Sequence, residues 1–387
     1  MKNNKWTLAL ASLGVISLGS TAYAEEEVMS QVLTGVSSTT LSGYVDTSAF
    51  WMTGPSGALP GRFNDGAAYM DGFNLDVVGL TIEKPLGEDL WASGYRVDLL
   101  FGPNAIGYNN VVNPGGSGNE SFGIKQAYVN LMTPIGNGLE WKMGVFDTII
   151  GYESFTSYVN PNFGRSYGWN LEPTQHTGLL ASYDVTEAVS VNAGIANTWI
   201  WGINTRPTSA FGWLGSVSVT APDSWGFLSG SSLTGGIVTG GTSGGNTRNT
   251  ISYYAGLNLL TGLEGFSVGI AFDYREGGAN AVTVGDNWAW AGAGYLVYNV
   301  DKWTFAGRAD FTKGSDGTFY TGFNNQNELF SFTGTIDYSL WENVITRFEL
   351  RYDTAMNSNT PFGVTDAAGI TTAENAFTLG VNAVYVF

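Results

Sequence analysis

The stretch "TRFELRYDTA" (346–355) decides how this chain folds. Arg347, Glu349, Arg351 and Asp353 occupy every second position, with Phe348, Leu350 and Tyr352 between them. Successive side chains of a β-strand point to opposite faces, so one face is apolar and the other charged. A face with two charges of each sign is not made to fill a hydrophobic core. It calls for water, and its apolar reverse calls for lipid or a second sheet.

The same alternation recurs from residue 39 to the end. In "LWASGYRVDLLF" (90–101), Trp91, Tyr95, Val97, Leu99 and Phe101 oppose Arg96 and Asp98. In "GFSVGIAFDYRE" (265–276), Phe266, Val268, Ile270, Phe272 and Tyr274 oppose Asp273 and Arg275. "WTFAGRADF" (303–311) sets Trp303, Phe305 and Phe311 against Arg308 and Asp310, and Lys142 falls opposite the aromatic set of its own run. Aromatics gather at the ends of these runs and small or aliphatic residues in the middle. That is the girdle arrangement of a membrane barrel, which a soluble sandwich does not need. Arg or Lys facing lipid at the midplane costs about 2–4 kcal/mol, so the charged faces point inward. Five same-strand neighbours of opposite charge follow: Arg96–Asp98, Asp273–Arg275, Arg308–Asp310, Arg347–Glu349 and Arg351–Asp353. Their spacing suits both salt-bridge ladders along the wall and a charged water-filled lumen.

Composition agrees. Of 387 residues, 54 are glycine, 14% aromatic and 13% charged, about half the roughly 25% charge of soluble domains. The formal net charge of −17 argues against nucleic acid as a partner. The start, "MKNNKWTLALASLGVISLGSTAYAEEE", has the positive end, short apolar stretch and small-x-small site (Ala22-Tyr23-Ala24) of a secretory signal. The expected organisation is a signal peptide (1–24) cleaved after Ala24, a short periplasmic leader (25–38) and a barrel (39–387).

Long Gly/Asn/Pro-rich connections at about 53–72, 104–120, 152–174, 201–209, 240–247, 277–285, 314–326 and 356–372 alternate with short turns such as "PIGNG" (134–138), "PDS" (222–224) and "NVDK" (299–302). Eight long loops with seven short turns between them predict sixteen antiparallel strands, both termini on the short-turn, periplasmic side. The final run, "NAFTLGVNAVYVF" (375–387), alternates Phe377, Leu379, Val381, Tyr385 and Phe387 outward and ends on an aromatic. A terminal strand of this kind looks like the signal read by barrel-assembly machinery, with Phe387 as its last element.

Catalysis finds little support. His176 is the single histidine, so any histidine triad or relay must pass through it, and no serine near it is singled out. It reads as a polar residue at the barrel mouth. No calcium-loop spacing occurs, and no enzyme activity, metal or cofactor is expected. The longest loop, "YESFTSYVNPNFGRSYGWNLEPTQ" (152–175), carries too many aromatics to be freely solvated. It follows the expected fifth strand, as the inward-folding loop of general porins does. Folded inward, it would place Glu153, Arg165 and Glu172 at a constriction.

"GVFDTIIGYE" (144–153), "NFGRSYGW" (162–169), "HTGLLASY" (176–183) and "AGIANTW" (193–199), in that order, resemble the core pattern of the putative β-barrel porin-2 family, the OmpL-like porins. The match is best over about 139–200. The resemblance implies a Gram-negative outer-membrane barrel for passive diffusion of small hydrophilic solutes. Together these readings predict an all-β, sixteen-stranded transmembrane barrel lined by the eleven charged wall residues named above, with outer-membrane lipids, assembly machinery, small polar solutes and ions as partners. A homotrimer suits the class. The net acidity suggests a weak cation preference. A closed or plugged barrel, acting structurally or adhesively through acidic loops, is the alternative.

Overall fold

The computed structural model describes residues 31–34, 37–53, 69, 71–87, 89, 91–108, 122–200, 203, 211–241, 249–277, 288–315, 328–356, 360–362 and 373–387. The strands of the first half are β1 (Gln31–Thr34), β2 (Ser37–Thr53), β3 (Gly72–Lys84), β4 (Ser93–Phe101), β5 (Phe122–Thr133), β6 (Leu139–Asp147), β7 (Gln175–Asp184), β8 (Val189–Ala196) and β9 (Gly212–Thr220). Those of the second are β10 (Ser232–Gly241), β11 (Asn249–Leu260), β12 (Phe266–Glu276), β13 (Trp288–Val300), β14 (Trp303–Gly314), β15 (Glu328–Trp341), β16 (Val344–Ala355) and β17 (Asn375–Val386).

From β2 to β17 each strand pairs antiparallel with the next in the chain, and β17 returns to pair with β2. A ring in which every neighbour is antiparallel closes only with an even number of strands; here it is sixteen, as the loop alternation predicts. Closure leaves no unpaired edge, which a barrel in lipid requires. The terminal Phe387 completes the seam, its N–H and C=O bonding the C=O and N–H of Gly43 on β2 at 2.8 and 2.7 Å.

Alternation holds where it was read. On β16, Phe348, Leu350 and Tyr352 are 38–43% exposed on the outside, while the four charged residues between them are at most 4% exposed. Aromatic pairs form the outer girdle, with Phe266 stacked on Tyr298 at 4.3 Å and Trp303 against Tyr338 at 4.4 Å.

Three features depart from the sequence reading. Within the expected leader, Val32 and Leu33 help form β1, which hairpins onto the start of β2 with Thr34 opposite Ser37. The expected signal peptide, its expected cleavage site and residues 25–30 lie outside the described residues, as does most of seven of the eight long loops. The turn expected at 222–224 spans 221–231 instead, because Asp223–Leu228 coils into a 3₁₀ turn. Finally, β-bulges interrupt the β2–β3 and β4–β5 ladders. A bulge sets two residues against one and re-aims a side chain. Asp76 and Lys125 are the extra residues, and both are buried.

Candidate functional site

The connection between β6, the fifth barrel strand, and β7 does not run over the rim. Residues 148–174 cross the barrel interior and reach the opposite wall. The aromatics that made this segment unfit for open solvent each find a wall partner. Tyr152 stacks on Tyr295 of β13 at 4.3 Å, Tyr158 meets Tyr44 of β2 edge-on at 5.2 Å, and Phe163 stacks on Phe50 of β2 at 5.3 Å. Tyr167 is fully buried and donates its hydroxyl to Asp353 at 2.7 Å. Two short 3₁₀ turns, Ser157–Val159 and Gly168–Leu171, punctuate the segment.

An irregular segment inside a barrel has backbone groups that a sheet ladder cannot satisfy, and each left unpaired is costly. The wall charges satisfy them. Arg347 donates to the carbonyls of Ser157, Tyr158 and Asn160 at 2.7, 3.0 and 3.1 Å. Arg308 donates to those of Gly164 and Arg165 at 2.6 and 3.0 Å, and Arg351 donates to Arg165 as well. Going the other way, Glu349 accepts the N–H groups of Phe163 and Gly164 at 2.7 and 2.8 Å, and Asp310 accepts that of Tyr167 at 3.1 Å. Gly164 is required for this approach: a Cβ there would stand 2.7 Å from Glu349 Oε1. On β12, Arg275 donates to the carbonyl of Asn170 at 3.1 Å.

The wall charges face the barrel interior, and on β12–β16 they meet the inward segment rather than open water. The same-strand pairing expected from spacing is found for Arg96–Asp98 at 2.9 Å, Arg308–Asp310 at 3.0 Å and Arg351–Asp353 at 3.0 Å. Arg347 turns instead to Asp337, directly opposite on β15, at 2.9 Å. Its same-strand neighbour Glu349 is occupied by the segment's backbone. Asp273 and Arg275 also part: Asp273 meets Glu172, and Arg275 lies over the Trp199 ring at 4.9 Å. Among the expected constriction residues, Glu153 takes Arg308 at 2.7 Å. Arg165 is fully buried and binds the carbonyls of Phe163 and Phe155, both at 2.6 Å, knitting the segment to itself. Neither side chain points into open lumen.

Less of the segment covers the wall of β3–β6. Arg96 is 31% exposed and bridges Glu83 at 3.0 Å and Asp98 at 2.9 Å. Asp98 also accepts from Gln126 at 2.7 Å and Thr81 at 2.8 Å. Lys125, turned inward by its bulge, pairs with Asp147. Lys142 holds its ammonium 4.7 Å from the Tyr128 ring centre, and Asn130 donates to Glu140 at 3.1 Å. A cavity of about 170 Å³ lies between this wall, at Arg96, Asp98 and Lys125, and the segment, at Thr156 and Tyr158. Sequence reading gave no site role to Lys125, Asp147, Glu83 or Asp337. The bulge breaks the parity that would have placed Lys125, and the other three act through cross-strand neighbours, which a single-strand pattern does not show.

His176 is fully buried at the start of β7, with Nε2 3.1 Å from Thr148 Oγ1, rather than open at the mouth. Among the described residues no group of three or more histidine or acidic side chains could hold a metal.

A family model described as Putative beta-barrel porin-2, OmpL-like, matches residues 38–387. No curated protein matches the sequence. Among solved structures, the outer membrane channel DcaP of Acinetobacter baumannii is similar at a TM-score of 0.61 and 11% identity, covering 90% of this chain and 97% of that one. An anion-selective porin from Comamonas acidovorans gives 0.59 at 13% identity, covering 90% and 99%. The trimer form of OmpT, an outer membrane protein of Vibrio cholerae, gives 0.54 at 14% identity, with the same coverage. At such identities the likeness is one of fold.

Proposed function

This chain belongs to the putative beta-barrel porin-2, OmpL-like family of outer-membrane barrels, and on that premise we propose that it lets small hydrophilic solutes and ions diffuse passively across the outer membrane. The observation that carries the reading is the asymmetry of the lumen. One wall, β12–β16, spends its charges on the inward segment. The other, β3–β6, keeps Arg96, Glu83, Glu140 and Lys142 partly exposed. Sixteen strands enclose more width than side chains alone can fill. The inward segment narrows that width, and the path runs along the β3–β6 wall. Charges of both signs there order water and favour polar over apolar solutes.

A weak cation preference accompanies this reading. Three arginines that would draw anions, Arg308, Arg347 and Arg351, are buried against segment carbonyls, and the chain carries a net −17. Reversal potentials in a salt gradient test it: the expected sign is that of cation flow, and anion selectivity would overturn it. Export with cleavage after Ala24, assembly through the Phe387 end and a trimeric state belong to the same proposal.

The rival is a plugged barrel of structural or adhesive role, favoured by how firmly the segment is anchored. Liposome swelling separates the two. Flux of small sugars and amino acids supports the channel, and its absence in a correctly folded barrel supports the plug.

A further inference from the structure

Glu172, at the C-terminal end of the inward segment, and Asp273 on β12 are both buried and hydrogen-bond to each other. Glu172 Oε2 and Asp273 Oδ1 have no other hydrogen-bond donor beside them among the described residues. Both arms of the segment close on this pair. A Cβ on Gly151 would stand 2.3 Å from Glu172 Oε2, and one on Gly168 2.5 Å from Asp273 Oδ2. Two carboxyl groups in contact, away from water, cannot both ionise, and a hydrogen bond between them needs a shared proton.

The groups around the pair do not relieve it. Glu153, from the start of the segment, adds like charge, although Arg308 of β14 holds it at 2.7 Å. Tyr254 of β11 faces both carboxyls, and Tyr295 of β13 faces Glu153 and Arg308. The Tyr152 backbone N–H donates to Glu172. Arg275, the cation on the same strand as Asp273, directs its guanidinium to Trp199 and Asn170.

We propose that Glu172 and Asp273 are a positioning pair, a proton-held latch that fixes the C-terminal arm of the inward segment to β12 and lets go in alkaline solution, widening the channel. Glu172 holds the proton and donates it to Asp273. Burial first, and then the Asp273 charge, hold the Glu172 carboxyl well above the ordinary carboxylate range. A carboxyl raised in this way keeps its contact below its own pKa and loses it as pH rises through that value. The proton passes to water or hydroxide, and the two carboxylates then repel. Arg347 and Arg308 keep the middle of the segment in place, and Asp310 and Asp353 hold Tyr167, so the release is confined to the arm around 168–174.

The latch rests on the channel reading, and one experiment separates their failures. Single-channel conductance of the mature barrel in planar bilayers is followed from about pH 6 to about pH 10, a range that brackets buried glutamates known to titrate near pH 8–9. The expected result is a conductance step upward with rising pH in the wild type. Glu172→Gln and Asp273→Asn, which keep the shape and hydrogen bond without the second charge, should each give a flat profile. A measurable wild-type conductance with no rise across this range overturns the latch and leaves the channel standing. The same rise persisting in both variants also overturns it. No conductance at any pH overturns the channel reading, and the latch with it.

Discussion

Glu349 on β16 accepts the backbone N–H of Phe163 at 2.7 Å, across 186 residues of sequence. A wall carboxylate thus serves as the acceptor that an irregular segment lacks. Its second oxygen does the same for Gly164 at 2.8 Å. Replacing Glu349 by alanine leaves two buried N–H groups unsatisfied, at about 1–3 kcal/mol each. Glu349→Ala should therefore loosen the segment before it unfolds the barrel. The expected readout is a larger single-channel conductance and faster swelling with larger sugars, and unchanged values would show that Glu349 does not hold the segment.

The buried ion pairs and the exposed one should differ sharply. Arg308 is fully buried between Glu153 and Asp310, and removing one partner of such a pair costs about 3–5 kcal/mol. Lys313, 43% exposed, pairs with Glu328 near the end of β14, where a pair contributes about 0–1 kcal/mol. Thermal unfolding followed by circular dichroism should place Arg308→Met well below the wild type and Lys313→Met beside it.

Ile270 is 50% exposed near the middle of the outer face of β12. Ile270→Arg should destabilise the barrel in lipid by about 2–4 kcal/mol, measured by urea-dependent folding into vesicles. A neutral result would mean that this face does not meet lipid.

Phe387 bonds to Gly43 through both backbone groups and lays its ring 45% exposed on the outside. Deleting it removes the last two bonds of the seam between β17 and β2. The yield of barrel assembled in the outer membrane should fall several-fold while the barrel refolded in detergent keeps its conductance. Equal assembly of the shortened chain would count against the terminal aromatic as a signal.

The fold was legible because its determinants are local and periodic. Phe348-Glu349-Leu350 shows which way each side chain points, and the spacing of long and short connections counts the strands. An inward course of 152–175 was an expectation that rested on Tyr158, Phe163 and Tyr167, which have no place in water. What the wall charges do was not legible. Whether Arg347 meets Glu349, Asp337 or a carbonyl of Ser157 depends on the strand beside it and on a segment far away in sequence, and alternation within one strand carries neither. Lys125 was hidden for a related reason: one extra residue at the β4–β5 bulge reverses the parity by which inward residues were counted. The charged face of the opening stretch is therefore turned to the barrel interior, but its charges grip a segment of the chain where free water was expected.

Planar-bilayer conductance of the refolded wild-type barrel in symmetrical salt is the most direct test of a water-filled path beside the inward segment. Discrete, ohmic current steps of the same size at both polarities are predicted. A barrel that inserts and resists unfolding as a closed sheet, yet passes no current, would contradict it.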